Sequence, residues 1–301
     1  MYSSQTENMN SISVVIPTLN RAKYLRGTID SVLRQSNMPF ECIVIDGGSN
    51  DETVDILRSY DDRLKWISEP DRGHVDAIMK GWKMANGDYL AWLNADDQYL
   101  GTEALYRLAD YLNKHPECDV VYGDYILIDD NGKPTGPVQR SGEWDLYIAA
   151  TRCTNIIPQP ASLIRRSALE RVGWLDYEFE YCKDHELWLR IGKEGTLTHI
   201  SVPIAYISLS SGISNHGKKT ADGKVRLTEK FFSATDLPSP LDTPQVKKRA
   251  LSIAYLKGAT MILKNDSDII SSLVYIVKAF ILDPVYTLRR FIRKIFHIQW
   301  A

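Results

Sequence analysis

Cysteine is scarce in this sequence, and its spacing excludes two kinds of site. The four cysteines, Cys42, Cys118, Cys153 and Cys182, lie far apart and form no C-x-x-C pair. Neither a zinc site nor a framework of disulfide bonds is therefore predicted. Residues 1–10 lack the basic and apolar parts of a secretory signal. We expect this N-terminal segment to be disordered and the protein to be cytoplasmic.

The sequence also lacks an excess of either charge and any long apolar run. Its 36 lysines and arginines are balanced by 38 acidic residues, for a net charge of −2, so no nucleic-acid partner is expected. No segment approaches the roughly 20 apolar residues that cross a bilayer, because Lys278, Asp283 and Pro284 interrupt the apolar C-terminal region. The hydrophobic content of 44% and the charged content of 25% are typical of a folded globular protein.

Short β-branched segments alternate with amphipathic segments in the first 124 residues. Strands are predicted at 11–18, 41–45, 64–68 and 89–93, and apolar residues recur at helical spacing between them. This alternation predicts an α/β fold with a Rossmann-like, mostly parallel sheet and helices on both faces. In such sheets, ligands bind at the carboxyl ends of the strands.

Polar and acidic residues follow three of these strands, at 18–21, 46–51 and 94–97. The fold predicts that they meet at one edge of the sheet. The adjacent carboxylates of Asp96 and Asp97 repel each other, and a hard divalent cation such as Mg²⁺ or Mn²⁺ would relieve that repulsion. A solvated acidic turn or a helix cap is the alternative interpretation of the pair.

Four segments occur in an order and spacing that resemble a known family. They are VVIPTLNRAKYL, ECIVIDGGSNDET, SEPDRGHVDAIMKG and NGDYLAWLNADD, and a later segment, KDHELWLR, is similar to the acidic segment of the same family. The family is the family-2 glycosyltransferases, which have the GT-A fold of nucleotide-diphospho-sugar transferases. The resemblance covers residues 11–214. It implies a GT-A domain at 11–216, with a nucleotide-binding half at 11–124 and an acceptor half at 125–216.

The resemblance implies a nucleotide-sugar site in the first half of that domain. Its residues line the nucleotide pocket or hold a divalent cation, Mn²⁺ or Mg²⁺, against the diphosphate; they are Pro17, Thr18, Asn20, Arg21, Asp46, Arg72, Asp96 and Asp97. Within this set, Asp46 is expected to accept a hydrogen bond from the base, and Asp97 is expected to be the direct metal ligand. Asn94 stands where Asp is frequent in the family, and a neutral amide supplies no charge to the metal.

In the acidic segment, the resemblance implies that Asp184 is the general base, which deprotonates an acceptor hydroxyl as its oxygen attacks the anomeric carbon. Glu186 is the alternative base, and it lies about 200° from Asp184 around a helix, so the two carboxylates do not face one substrate. Lys183 stands where Glu is frequent in the family. Gln159 is assigned to the acceptor side, and His216 to a loop that closes over the diphosphate.

These expectations describe an inverting glycosyltransferase. It would move a sugar from a nucleotide-diphosphate donor, a UDP- or dTDP-sugar, to a saccharide or lipid-linked acceptor in cell-surface polysaccharide biosynthesis. A nucleotidyltransferase also places a metal between carboxylates, but it requires a glycine-rich basic loop where residues 17–21 contain no glycine. The other alternative is a degenerate protein that binds nucleotide-sugars without turnover, as Asn94 and Lys183 suggest.

The C-terminal part is predicted to contain a linker and then helices. Residues 217–248 are polar and contain Pro238, Pro240 and Pro244, which is typical of a flexible linker. Residues 249–301 show only helical patterns.

Apolar and basic side chains of residues 288–297 separate onto opposite faces of a helix. Such a helix suits an anionic membrane surface, with Trp300 at the interface, and predicts a peripheral location on the inner face of the cell membrane. Packing of this helix on the catalytic domain is the alternative interpretation.

Overall fold

The computed structural model describes residues 10–36, 40–209 and 216–296, and side chains as far as residue 290. This part of the chain forms two compact units. The first contains residues 10–144, 156–180 and 190–209, and the second contains 145–155, 181–189 and 216–296. The predicted N-terminal disorder falls on residues that lie, except for Asn10, outside the described part.

A mostly parallel sheet forms the centre of the first unit. Its strands are β1 (Ile12–Thr18), β2 (Phe40–Asp46), β3 (Lys65–Ser68), β4 (Tyr89–Trp92), β5 (Gln98–Tyr99), β6 (Cys118–Ile128), β7 (Ser162–Arg165) and β8 (Thr196–Ser208). Their order across the sheet is β3-β2-β1-β4-β7-β6-β8-β5. Strands β3, β2, β1 and β4 are parallel, β7 is antiparallel to both of its neighbours, and β5 is antiparallel to β8. The predicted fold class is confirmed.

The helices of the described residues agree with most of the predicted pattern. They are α1 (Ala22–Leu33), α2 (Thr53–Arg58), α3 (His74–Met84), α4 (Ala104–Lys114), α5 (Leu146–Arg152), α6 (Arg166–Val172), α7 (Lys183–Glu194), α8 (Gly217–Phe231), α9 (Pro244–Asn265), α10 (Ile269–Leu282) and α11 (Pro284–Phe296). In α1, the apolar residues Leu25, Ile29 and Val32 recur at helical spacing and are fully buried.

Strand β1 lies between β2 and β4 in the parallel part of the sheet. All seven of its residues are buried, as expected for a parallel strand whose two faces are both covered. It pairs with β2 on one side and β4 on the other, and its last residue, Thr18, lies opposite Asp46. The chain therefore brings the loops that follow β1, β2 and β4 to the same edge of the sheet.

The predicted flexible linker at 217–248 is wrong for its first half. Residues 217–231 form α8, in which Ala221, Val225 and Leu227 are buried. The prediction failed because most residues of this segment are polar and its apolar face is short. Packing of that face stabilises the helix. Pro244 is the first residue of α9, a position that tolerates proline, and the Thr243 side chain accepts a hydrogen bond from the Val246 N–H.

Helices α9, α10 and α11 end the described chain. No helix of the described residues is long and apolar enough to span a bilayer. Helix α11 agrees with the predicted C-terminal helix, whose side chains beyond Arg290 lie outside the described set, as does Trp300.

Candidate active site

The loops after β1 and β2 are joined by hydrogen bonds that fix the first predicted site residues. The Asn20 backbone N–H donates to Ser49 Oγ at 2.7 Å, and Asn50 N–H donates to Asn20 Oδ1 at 2.9 Å. Asn20 has a φ of 51°, a left-handed conformation that Asn tolerates better than most residues. Its role in this geometry is to hold the two loops together.

Pro17 and Thr18 are buried at the end of β1, and Arg21, half-buried, precedes α1. Thr18 Oγ1 is a buried hydroxyl with no hydrogen-bond partner among the described residues. A buried polar atom without a partner is costly, so this oxygen is available to a ligand at the strand end.

Asp46 ends β2 and is completely buried. Its Oδ2 accepts hydrogen bonds from the Ser49 N–H at 3.0 Å and the Ser68 Oγ at 2.6 Å, and its Oδ1 accepts from the Ser49 Oγ. These donors hold the carboxylate in one orientation. A carboxylate has further acceptor positions, so the expected contact with a base remains compatible with this arrangement.

Arg72 contacts one residue of its own segment and one that is distant in sequence. Its guanidinium donates to Asp76 Oδ1 at 3.0 Å and lies 4.8 Å from the centre of the Tyr177 ring. The pKa of Asp76 is lowered: burial raises it, but the Arg72 hydrogen bonds and positive charge outweigh that effect. A direct contact with the nucleotide stays a prediction for this exposed side chain.

Glu180 fixes the loop that carries Arg72. Its two carboxylate oxygens accept hydrogen bonds from the His74 N–H at 2.6 Å and the Val75 N–H at 3.0 Å. N–H groups in the first turn of a helix have no acceptor within the helix, so Glu180 supplies one for each. A negative charge at this end of α3 is also favoured by the helix dipole. No local motif signals this role, because Glu180 is more than 100 residues away from the helix in sequence.

Asp96 and Asp97 follow β4 and differ in their surroundings. Asp97 is buried; its Oδ2 accepts from Asn94 Nδ2 at 2.7 Å and its Oδ1 from the Ser208 N–H at 2.9 Å. Burial and the charge of Asp96 raise the pKa of Asp97 to about 7. Asp96 is half-buried. Each oxygen of Asp97 keeps a further acceptor position, as in Asp46, so the direct metal contact expected of Asp97 stays a prediction.

The carboxylates fit a divalent cation in chemistry, although they do not form a complete site. Their hard oxygens suit Mg²⁺ or Mn²⁺, and a cation would relieve the repulsion that contributes to the raised pKa of Asp97. Among the described residues, no group of three or more histidine, cysteine, aspartate or glutamate side chains is arranged to hold a metal. Further ligands would therefore be oxygens from the substrate or water.

Gln159 is placed differently from the expectation. Its side chain is buried, and its Nε2 donates to the carbonyl oxygen of Trp92 at the end of β4. In this position it supports the strand that leads into Asp96 and Asp97. The geometry therefore favours a supporting role for Gln159 over the expected contact with an acceptor sugar.

The second unit contains Asp184 in the first turn of α7. Its Oδ2 accepts a hydrogen bond from Asn155 Nδ2 at 2.7 Å, and its Oδ1 from the backbone N–H of His185 at 2.8 Å. The side chain is half-buried. Sequence analysis missed Asn155, because nothing in its local sequence indicates that it orients Asp184.

Glu186, the alternative base, is only 2% exposed. Its Oε1 is paired with Lys230 Nζ at 2.7 Å. A buried, ion-paired carboxylate is poorly placed to accept a proton from a substrate, so the structure favours Asp184 over Glu186.

His216 precedes α8 and is exposed. Its ring lies 5.6 Å from the Tyr181 ring in an edge-to-face arrangement. The loop on which its expected diphosphate contact depends, 211–215, lies outside the described residues.

Comparison with known proteins settles the family. The family model for Glycosyl transferase family 2 matches residues 13–173. A PGL/p-HBAD biosynthesis glycosyltransferase of Mycobacterium tuberculosis is 32% identical over 209 residues, which cover 67% of this chain and 78% of the relative. The chain belongs to glycosyl transferase family 2. This confirms the resemblance and makes the protein a glycosyltransferase. An uncharacterized glycosyltransferase of Rickettsia prowazekii is 33% identical over 60% of this chain and 58% of its own length.

Two solved structures have the same fold at low sequence identity. Staphylococcus aureus TarS 1-349 in complex with UDP-GlcNAc has a TM-score of 0.66 and 19% identity, covering 89% of this chain and 81% of that chain. The mannosyltransferase PcManGT from Pyrobaculum calidifontis, in complex with GDP-Man and Mn²⁺, has a TM-score of 0.61 and 17% identity. The match covers 94% of this chain and 79% of that chain. The family-2 transferase therefore has the predicted GT-A fold.

Proposed function

We propose that the protein is a divalent-cation-dependent, inverting glycosyltransferase that transfers a sugar from a nucleotide-diphosphate donor. The observation that carries the proposal is the arrangement at the edge of the sheet: the ends of β1, β2 and β4 bring Thr18, Asp46 and Asp96 to neighbouring positions in a chain of this family. Solved relatives of the same fold contain UDP-GlcNAc, or GDP-Man with Mn²⁺.

On this proposal the first unit binds the donor. Asp46, held by Ser49 and Ser68, presents its remaining acceptor capacity to the base, and Thr18 Oγ1 donates to or accepts from the nucleotide. Asp96 and Asp97 would hold the cation, with Asp97 as the expected direct ligand. When bound, a divalent cation neutralises the charge that develops on the departing nucleoside diphosphate.

Asp184 is proposed as the general base. Its carboxylate accepts the proton of the acceptor hydroxyl while that oxygen forms a bond to the anomeric carbon, and the bond from that carbon to the diphosphate breaks. A single displacement of this kind inverts the anomeric configuration. Asn155 Nδ2 orients the carboxylate, and the burial of Glu186 against Lys230 supports the choice of Asp184.

The finer parts of the proposal concern the substrates. We propose a UDP- or dTDP-sugar as donor, because the family carboxylate at Asp46 is typical of uracil-like bases. The acceptor is proposed to be a saccharide or lipid-linked molecule of the cell envelope. The name of the mycobacterial relative, a PGL/p-HBAD biosynthesis glycosyltransferase, supports this proposal.

The test is a thermal-shift and donor-hydrolysis screen of UDP-, dTDP- and GDP-sugars with Mn²⁺, Mg²⁺ or EDTA. For the parent protein, we expect one donor to raise the Tm and to be slowly hydrolysed, both only when a metal is present. We expect the variant Asp96→Asn to lose both effects. Its Tm without ligand should equal that of the parent. Unchanged responses in Asp96→Asn would contradict the metal assignment. No response of the parent protein to any donor would instead favour the binding protein without turnover.

A peripheral membrane location is proposed from the second unit. Helix α10 carries exposed apolar side chains, among them Ile270 at 77% and Ile281 at 72% exposure. The cations Lys278, Arg289 and Arg290 lie on α10 and α11. Exposed apolar residues with nearby cations suit an anionic lipid surface.

A further inference from the structure

Four cations from four helical segments come together in the second unit. Lys257 of α9 donates from Nζ to Thr154 Oγ1 at 2.6 Å, two residues beyond Arg152, the last residue of α5. Cys153 Sγ lies 3.9 Å from the carbonyl oxygen of Lys224 in α8. These contacts place the segments that carry Arg152, Lys224 and Lys257 next to one another, with the Lys257 ammonium beside Thr154.

Helix α11 adds the fourth cation. It contacts α9, since Ser252 Oγ and Thr287 Oγ1 are 3.2 Å apart and Arg249 is paired with Asp283, the residue before α11. Arg290 follows Thr287 on α11, and its Nη1 donates to Tyr286 Oη at 3.1 Å. Arg152, Lys224, Lys257 and Arg290 are called the cationic cluster below.

The cationic cluster is not neutralised within the described chain. None of its four side chains forms an ion pair with a carboxylate whose position the structure describes. Other cations of the same unit do: Lys218 is paired with Asp222, Lys230 with Glu186, and Arg249 with Asp283. Burial lowers the pKa of Lys257, and the charges of Lys224, Arg290 and Arg152 lower it further. Such mutual repulsion destabilises a protein unless an anion binds there.

The cluster lies beside the proposed general base. Thr154, which accepts the Lys257 hydrogen bond, is followed directly by Asn155, which donates to Asp184 at 2.7 Å. Burial raises the pKa of the Cys182 thiol, the charge of Asp184 raises it further, and the charge of Lys224 lowers it. Lys224 and Asp184 therefore both lie near this thiol. The anion that the cluster binds is therefore held on the same side of the second unit as the group that activates the acceptor.

We infer that Arg152, Lys224, Lys257 and Arg290 form a binding site for a phosphate group carried by the acceptor. The inference rests on the proposed function, because it identifies the acceptor side by Asp184. Arginine and lysine side chains make charge-assisted hydrogen bonds to phosphate oxygens. Several neighbouring cations match the compact double charge of a phosphomonoester or diphosphate better than a neutral sugar. The acceptor is accordingly a phosphorylated saccharide or a lipid phosphate.

The experiment measures binding of two phosphomonoesters to the full chain by calorimetry, with UDP and Mg²⁺ present at saturation. The probes are glycerol 3-phosphate, which has no hydrocarbon chain, and decyl phosphate, which has one. We expect binding to at least one probe, at least tenfold weaker in the double variant Lys224→Gln/Lys257→Gln, since two of the four charge-assisted contacts are lost. The probe that binds more tightly identifies the source of the phosphate.

Lys248→Gln/Lys264→Gln is the matched control. It removes two exposed lysines from α9 and changes the net charge by the same amount. Its affinity for both probes should stay within about twofold of the parent, because charges outside the cluster act only through a screened, long-range effect.

A structural role for the cluster predicts a different outcome. If the four cations only support the fold, the double variant should lower the Tm; if they form an anion site, it should have an equal or higher Tm without phosphate and lose the phosphate-induced increase. Equal binding by the double variant, no binding by the parent chain, or displacement of both probes by UDP would overturn the inference. Failure of the parent to bind UDP would instead count against the proposed function. Titration of the parent with the two phosphomonoesters in the absence of UDP would still test the phosphate-binding site.

Discussion

Asp184 is a carboxylate whose two oxygens both accept hydrogen bonds, from Asn155 and from the His185 backbone. An amide at this position keeps an acceptor oxygen but cannot take up a proton. We expect Asp184→Asn to lower kcat by about 100- to 10,000-fold, with little change in the KM for the donor. Steady-state kinetics of sugar transfer measure both constants, and unchanged kcat would remove Asp184 from the role of base.

Asn155 should act through Asp184. The variant Asn155→Ala removes the donor at 2.7 Å from Oδ2, so the carboxylate loses a contact that orients it. We expect a fall in kcat of about tenfold, smaller than for Asp184→Asn, with the KM for the donor unchanged and with partial rescue of kcat in Asn155→Gln. A loss of stability with unchanged kcat would contradict a positioning role.

His185 gives a prediction about stability rather than turnover. Its ring is buried, and burial together with the charge of Lys224 lowers its pKa from 6.5 to about 3. Below pH 6.5 the unfolded chain takes up a proton that the folded chain does not, so stability falls with pH from there towards pH 3. At pH 4.5 this amounts to about 2–3 kcal/mol.

The comparison with His185→Leu isolates this effect. Urea unfolding of both proteins at pH 7.5, 6 and 4.5 should show the parent losing about 2–3 kcal/mol more than the variant across that range. A difference that is independent of pH would mean that His185 is either accessible or charged in the folded protein.

Some of the candidate site was predictable from single residues and some was not. Asp46, Asp96 and Asp97 lie where apolar strands end in the sequence, so the rule that ligands bind at strand ends selects their loops. The hydrogen bond from the Ser208 N–H to Asp97, 111 residues away, was not predictable from either local sequence. Glu180 and Asn155 likewise contact groups that are distant in sequence. The local pattern therefore indicates the loops of the candidate site, whereas tertiary hydrogen bonds fix the orientation of their side chains.

At the scale of elements, α3 packs unusually close to β1. A Cβ atom added at Gly81 would lie 2.4 Å from Val15 Cγ1 and 2.8 Å from its Cγ2. Val15 is fully buried and β-branched, so it has little freedom to move away. We expect Gly81→Ala to destabilise the protein by about 1–3 kcal/mol, although alanine is the better helix former by about 1 kcal/mol.

Gly136 provides the control for Gly81. An added Cβ there meets no atom within 4 Å, so Gly136→Ala should leave the free energy of unfolding within about 0.5 kcal/mol of the parent. Chemical denaturation measures both variants. Equal stability of Gly81→Ala and the parent would mean that α3 shifts away from β1 at little cost.

The elements that sequence periodicity predicted well are those with strong apolar patterns. The strands at 11–18 and 89–93 agree with β1 and β4 to within a residue, and α1 lies between two predicted strands, where helical spacing was expected. Helix α8 was missed because its composition is polar and its buried face narrow. Its stability comes from packing within the second unit, which no local pattern contains.

At the scale of the whole molecule, most of the fold and the family were predictable, because the first part of the chain consists of consecutive strand and helix units. The set of chain segments that make up the second unit was not predicted. It joins residues 145–155 and 181–189 to the C-terminal helices, and such a combination of distant segments leaves no boundary in composition. The cationic cluster was missed for the same reason, since each of its four residues lies on a different segment.

The apolar face of α10 supports a last prediction. Ile270, Val277 and Ile281 are 77%, 56% and 72% exposed, and replacing all three with Ser removes apolar area that would otherwise be buried in lipid. The parent chain should float with vesicles of phosphatidylcholine and phosphatidylglycerol at 3:1, and the triple variant should bind at least tenfold more weakly. A control that replaces the exposed Val138, Leu209 and Leu263 with Ser removes similar area elsewhere and should bind like the parent. If the parent does not float, and sedimentation shows a dimer that the α10 variant converts to a monomer, the face pairs with a second copy and the membrane proposal is wrong.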